Sequence, residues 1–249
     1  MNDKITGIFA KSRNVTGSYQ TKVITAGNVV EIYQYDRPVF TGKCPNQDGR
    51  GYGKSASAEE NRKKKVQEIK KQIRRQINAN YVPGQGRFIT LTHKKNEEDL
   101  TRSHRVFNGF IKEYTKYMGF KLEYTAVIEF QERGSIHYHC IFYNLPKKVD
   151  LDDLRELWAV GSVNVKRLKN VDNVGAYLTG YFSTAESRLK GRKAYLCSKG
   201  LKKPEEIKKG VDEAVIGSYT HQGYQVKYDN TFLIEETKNQ VQYTQLIKK

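Results

Sequence analysis

Residues 122–130 (LEYTAVIEF) and 136–143 (IHYHCIFY) are two β-prone runs joined by a tight turn at Glu132-Arg133-Gly134-Ser135. Runs of β-branched and aromatic residues on either side of a short turn cluster predict an antiparallel hairpin. On a strand, residues two apart face the same side. His137 and His139 therefore point together, while Tyr138 and Cys140 point the other way. Two imidazoles at this spacing can share one divalent ion, although half-buried, hydrogen-bonded histidines give the same pattern. Glu129 lies on the preceding strand and completes a two-His-one-carboxylate set, which suits Mn²⁺ or Mg²⁺. A plain hairpin turning at Arg133-Gly134 pairs Phe130 with His137 and sends Glu129 to the opposite face. A one-residue bulge near 131–133 would bring it round, and Gln131 or Glu132 are the alternative ligands.

Outward from the hairpin the pattern is mixed. Upstream, residues 97–118 predict a helix with Leu100, Val106, Phe107, Phe110, Ile111 and Tyr114 on its buried side, and 87–92 (RFITLT) predict a short strand. Residues 57–80 predict a long helix, capped by Ser57 with Glu59 and Glu60 in its first turn. Val66, Ile69, Ile73 and Ile77 make its single apolar stripe; Arg62, Lys63, Lys64, Lys65, Lys70, Lys71, Arg74 and Arg75 cover the rest. That surface is either solvated or turned to phosphate. Residues 22–33 predict a hairpin and 41–57 a loop. Downstream, 150–158 predict a short helix, 161–168 an edge strand, and 172–184 a helix capped by Asp172 or Asn173. Residues 185–209 look basic and loop-rich, VIGSY, YQVKY and NTFLIEE look like short strands, and the last dozen residues look polar and ragged. Strands joined by hairpins with helices between some of them predict an α+β fold with an antiparallel sheet flanked by helices. The expected organisation is one structural domain: N-terminal strands and loop in 1–57, the core in 58–205, and C-terminal strands and a polar tail in 206–249.

The 249-residue chain carries a net charge of +17, which makes a polyanion the expected partner. No run of 18 apolar residues is present, so no membrane span is expected. The first twenty residues lack an apolar leader, and three widely spaced cysteines form no disulfide framework, so a reducing cytoplasm is expected.

Tyr177 and Tyr181 are four apart on the predicted 172–184 helix and so lie on one face. Two phenols presented to one site compete here with an aromatic stripe packed on the sheet, since the chain has seventeen tyrosines.

Residues 128–139 (IEFQERGSIHYH) resemble the HUH motif of rolling-circle replication initiators of phages, viruses and plasmids. Gly134 stands three before the first histidine and Glu129 eight before it. Phe88–Thr92 resembles that family's first motif, and 174–181 (VGAYLTGY) its third, which carries the nucleophilic tyrosine. Trp158 and Gly161 before the third motif, the basic upstream helix and the Arg192–Leu201 segment fit as well, so the resemblance covers about 58–205. It implies an HUH core related to ferredoxin- and RRM-like folds. It also implies a bound Mg²⁺ or Mn²⁺ on His137, His139 and Glu129, and attack by Tyr177 on single-stranded DNA to leave a 5′-phosphotyrosine. Tyr181 would make a second, closing transfer. Lys63, Lys64, Lys71, Arg74, Arg75, Arg133, Lys190, Arg192 and Lys193 are the expected DNA contacts. The family's lysine three after the nucleophile is Gly180 here, with Lys190 or Arg192 as candidate replacements. No phosphate-binding GxxxxGK[ST] loop occurs, so a host helicase, as well as a polymerase, is the expected partner. A relaxase or single-strand transposase shares this chemistry; a non-catalytic basic nucleic-acid-binding domain is the rival of a different kind.

Overall fold

The computed structural model describes residues 17–41, 57–82, 84–132, 134–146, 148–167, 173–181 and 195–248. The fold is α+β, with two antiparallel five-stranded sheets and five helices among the described residues. The chain divides into two compact units, Ala56–Lys203 and Met1–Ser55 with Pro204–Lys249. The flanking segments expected as extensions of a single domain thus join each other in a unit with its own sheet.

In that unit β1 (Ser18–Ala26) and β2 (Val29–Phe40) form the predicted hairpin, turning at Gly27 with φ +61°. The remaining strands are β8 (Glu205–Lys209), β9 (Tyr224–Ile234) and β10 (Asn239–Lys248), in the order β8-β1-β2-β10-β9. Three expectations change here. The VIGSY segment is helical, α5 (Val215–His221), because Val215, Ile216 and Tyr219 pack on Val23, Val30, Ile32 and Leu246 of the sheet. Tertiary burial outweighs the strand preference of its β-branched residues. YQVKY and NTFLI are one continuous strand, β9. The supposedly ragged tail is β10, a central strand, with Val241, Leu246 and Ile247 buried among its polar residues.

The Ala56–Lys203 unit carries the other sheet. Its sheet runs β6 (Gly161–Arg167), β3 (Arg87–His93), β5 (Ile136–Phe142), β4 (Tyr124–Phe130), β7 (Tyr195–Cys197), all neighbours antiparallel. β7 and β8 both lie in the stretch expected to be loop.

Helix α1 (Ala58–Asn80) starts at Ser57, whose hydroxyl accepts from Glu60 N–H while Glu60 accepts from Ser57 N–H. Helix α2 (Leu100–Met118) begins three residues later than expected because the Asp99 carboxylate caps Thr101 and Arg102 N–H; it ends at Gly119, φ +71°. Helix α3 spans Leu151–Trp158 and α4 only Val174–Thr179, capped by Asn173. Asp172 and residues 182–184 of the longer predicted helix lie outside the described residues.

The two sheet faces are covered differently. Leu100, Phe107, Phe110 and Tyr114 of α2 and Leu154 and Trp158 of α3 bury against Ile89, Leu91, Ile128, Tyr138 and Phe142. Each such side chain contributes about 1.5–3 kcal/mol by leaving water. The opposite face receives Ile73 and Ile77 of α1 and Val174 and Leu178 of α4, packed on Phe88, Val127, Ile141 and Tyr143. Of the predicted α1 stripe, Ile73 and Ile77 are buried, while Val66 and Ile69 are half-buried. No helix among the described residues is long and apolar enough to cross a membrane.

Candidate active site

The site lies on the sheet face shared with α1 and α4. The β4–β5 register pairs Glu129 directly with His137, and Phe130 with Ile136. Glu129 is thus on the histidine face, and the predicted pairing of Phe130 with His137 does not occur. The reason is the loop. Gln131 N–H donates to Ser135 O and Gly134 N–H to Gln131 O, with Gly134 at φ +88°. This is a three-residue connection with a left-handed glycine, not a two-residue turn. One extra loop residue shifts the register, and a single-residue shift exchanges the faces. Arg133 itself lies outside the described residues.

His137 and His139 are both buried, 7% and 5% exposed. Their neighbours on β3 are threonines: Thr92 is paired with His137 and Thr90 with His139. Thr90 Oγ1 lies 3.3 Å from His139 Nδ1, and Thr92 Oγ1 lies 3.5 Å from His137 Nδ1. Engaging Nδ1 orients each ring and turns Nε2 toward the site, which is how a second layer of contacts prepares a metal-binding histidine. His139 Nε2 stands 2.6 Å from Glu129 Oε2. Burial holds the His139 pKa below the ordinary histidine value; the Glu129 contact opposes this and the Lys166 charge adds to it. Burial wins, so the ring is neutral near pH 7, the form that ligates a cation.

The tyrosines close over this pair. Tyr181 stacks on His139 with ring centroids 4.1 Å apart, and the hydroxyls of Tyr177 and Tyr181 are 3.1 Å apart. Both rings also rest on Phe88, at 5.3 Å and 5.6 Å. The Tyr181 pKa is pushed up to about 12, first by its hydrogen bond to Tyr177, then by partial burial, the Tyr177 charge and the Glu129 carboxylate.

Asn78, which the sequence pattern does not single out, fixes α4 in position. Gly175 N–H donates to Asn78 Oδ1 at 2.9 Å; Asn78 Nδ2 donates to Asn173 Oδ1 at 3.0 Å, and the same Asn173 oxygen caps Ala176 N–H at 2.9 Å. Along the chain Asn78 is legible only as a polar residue near the end of a basic helix. The Trp158 and Gly161 pair also finds a role. Trp158 Nε1–H donates to Thr92 O at 3.0 Å, and a Cβ at Gly161 would lie 1.8 Å from that same carbonyl oxygen.

Among the described residues, no three His, Cys, Asp or Glu side chains are drawn together tightly enough to hold a metal ion as they stand. The donors nevertheless fit a divalent cation in kind: two imidazoles and a carboxylate, on one face, with the Nδ1 atoms already engaged. His139 and Glu129 meet directly, and their 2.6 Å contact would have to open to admit an ion.

Of the expected DNA contacts, Lys63, Lys64 and Lys71 are exposed on α1, while Arg74 and Arg75 are half-buried. Lys63 pairs with Glu59 at 2.8 Å and Lys71 with Glu68 at 2.9 Å; such exposed pairs hold little energy and are readily exchanged for phosphate. Lys190, Arg192 and Lys193 lie outside the described residues.

Comparison with curated proteins gives no match, and comparison with solved structures gives none. Residues 86–186, which include Thr90, Thr92, Glu129, both histidines and both tyrosines, match the family described as Replication-associated protein ORF2. Over that span the chain is similar to replication-associated proteins, in agreement with a replication initiator of the Rep type.

Proposed function

We propose that the protein initiates rolling-circle replication by nicking and rejoining single-stranded DNA as an HUH-type endonuclease. The observation that carries this reading is the convergence of His137, His139, Glu129, Tyr177 and Tyr181 on one face of the sheet, within the span similar to replication-associated proteins. Tyr177 is the first nucleophile in this reading, because it lies within α4 and nearer the helix N-terminus, where the dipole favours a phenolate or phosphate. The Tyr177 oxygen bonds to phosphorus as its phenol proton passes to solvent. The bond from phosphorus to the 3′ oxygen breaks, and that oxygen takes up a proton. The 5′ phosphate stays on the tyrosine, so the bond energy is conserved for rejoining. Tyr181 makes the second transfer. A divalent cation, Mg²⁺ or Mn²⁺, held by His137, His139 and Glu129 would polarise the scissile phosphate and offset its developing charge. A host helicase would supply the single strand and a polymerase would extend the free 3′ end.

A second reading is a DNA-binding domain without catalysis. The stacking of Tyr181 on His139 and Phe88 favours it, since packed aromatics need no reaction. One experiment separates the two. The protein is incubated with labelled single-stranded DNA and Mn²⁺, then denatured and run on a gel. A labelled band that survives denaturation and disappears with EDTA supports the nicking enzyme. Binding with no nick and no adduct at any metal concentration overturns it.

A further inference from the structure

Strand β6 is the sheet edge beside β3, and its register pairs Ser162 with Thr92, Asn164 with Thr90 and Lys166 with Phe88. Cross-strand partners share a face, so these three side chains belong to the site face. Phe88 is the floor of the site: His139, Tyr177 and Tyr181 all rest on it, at 5.8, 5.3 and 5.6 Å. Lys166 therefore stands directly beside the aromatic floor. It is exposed and forms no salt bridge among the described residues. A phosphodiester brought to the tyrosine pair needs a cation on its non-bridging oxygens, and the position three after Tyr177 is Gly180, which has no side chain to offer one.

We infer that Lys166 binds the scissile phosphate, holding it against the tyrosine hydroxyls from the β6 side; the inference rests on the nicking reading of this site. A lysine here acts as a point charge on a flexible stem and can follow the phosphorus through attack. An exposed strand lysine can be replaced without loss of the core, so the variant remains folded.

The test has a binding arm and a kinetic arm. In a background where Tyr177→Phe and Tyr181→Phe prevent cleavage, Lys166→Ala is expected to reduce the salt dependence of binding to a mixed-sequence single-stranded 30-mer by about 0.7, the value of one phosphate contact. Lys112→Ala, on α2 against the other sheet face, serves as the control and leaves the slope unchanged. With both tyrosines restored, Lys166→Ala lowers the single-turnover rate of adduct formation by at least about tenfold with little change in KM, and Lys166→Arg recovers most of it. An unchanged rate overturns the inference, even if the slope falls, because Lys166 would then touch some other phosphate. If the intact protein forms no adduct but the slope still falls, the nicking reading fails and the phosphate contact stands. If neither changes, Lys166 has no phosphate.

Discussion

Gly175 lies against the backbone of Arg74 so closely that a Cβ on the glycine would stand 2.2 Å from the Arg74 carbonyl oxygen. This contact, with the Asn78 side chain bonding Gly175 N–H, sets the distance between α1 and the helix that carries Tyr177 and leads into Tyr181. Gly175→Ala is therefore expected to push α4 away from α1. Overpacking of this kind costs about 1–3 kcal/mol. A urea melt should show a stable but weakened fold, and adduct formation should fall far more than stability. Wild-type nicking in this variant would mean that the tyrosines do not depend on this contact.

The metal set gives the next expectation. His137→Ala and His139→Ala should abolish nicking while most single-strand binding remains, because the lysines rather than the imidazoles supply affinity. Glu129→Ala should weaken Mn²⁺ binding and alter metal preference. Thr90→Val, which exchanges the hydroxyl beside His139 Nδ1 for a methyl, should weaken Mn²⁺ binding by about 10–100-fold, as loss of an orienting contact does. Titration calorimetry with Mn²⁺ measures the metal affinities and a single-strand nicking and binding assay the rest, and unchanged affinity across the set would rule out this site.

The two tyrosines should behave differently. Tyr177→Phe is expected to lose the covalent adduct with the fold intact, since one oxygen is removed. Tyr181→Phe should still nick but fail to rejoin. Peptide mapping of the adduct by mass spectrometry decides the assignment, and a phosphotyrosine at Tyr181 alone would reverse the order of attack.

Binding should weaken steeply with salt, by about 0.7 in slope for each phosphate contacted on a single strand. Replacing Lys63, Lys64 and Lys71 together by glutamate should flatten that slope if α1 faces DNA. A slope equal to wild type would leave α1 as a solvated surface.

Stability should fall in acid below the ordinary histidine range. Burial holds the His93 pKa below its usual value, with Glu97 opposing and Arg102 adding, and its Nε2 meets Ser103 Oγ at 2.9 Å in the core. A histidine with a depressed folded pKa stabilises the fold fully above about pH 6.5, its unfolded value, and the contribution is lost as pH falls through the lower folded value. Urea midpoints at pH 7.5 and pH 5 should therefore differ. His93→Gln should narrow the difference without removing it, because His139 is held low in the same direction. Equal midpoints for wild type at the two pH values would contradict this.

Local chemistry in the sequence was enough to determine several things. The spacing of Ile73 and Ile77 set the buried stripe of α1, Ser57 and Glu60 set its start, and alternation set the site strands with both histidines on one face. The tyrosine spacing likewise set two phenols side by side. These depend on periods of 3.6 and 2, which act within a few residues. Only the tertiary structure decided the rest. The face of Glu129 turned on whether the loop at Gly134 had two residues or three, and neighbouring turn residues accept either. Val215–His221 is a helix and Asn239–Lys248 a central strand because of the sheet each packs on or joins, at sequence distances no local pattern reports. Lys166 reads along the chain as one basic residue among 44 lysines and arginines. It becomes part of the site only through the register that sets it opposite Phe88, because strand pairing, not chain order, determines which side chains share a face.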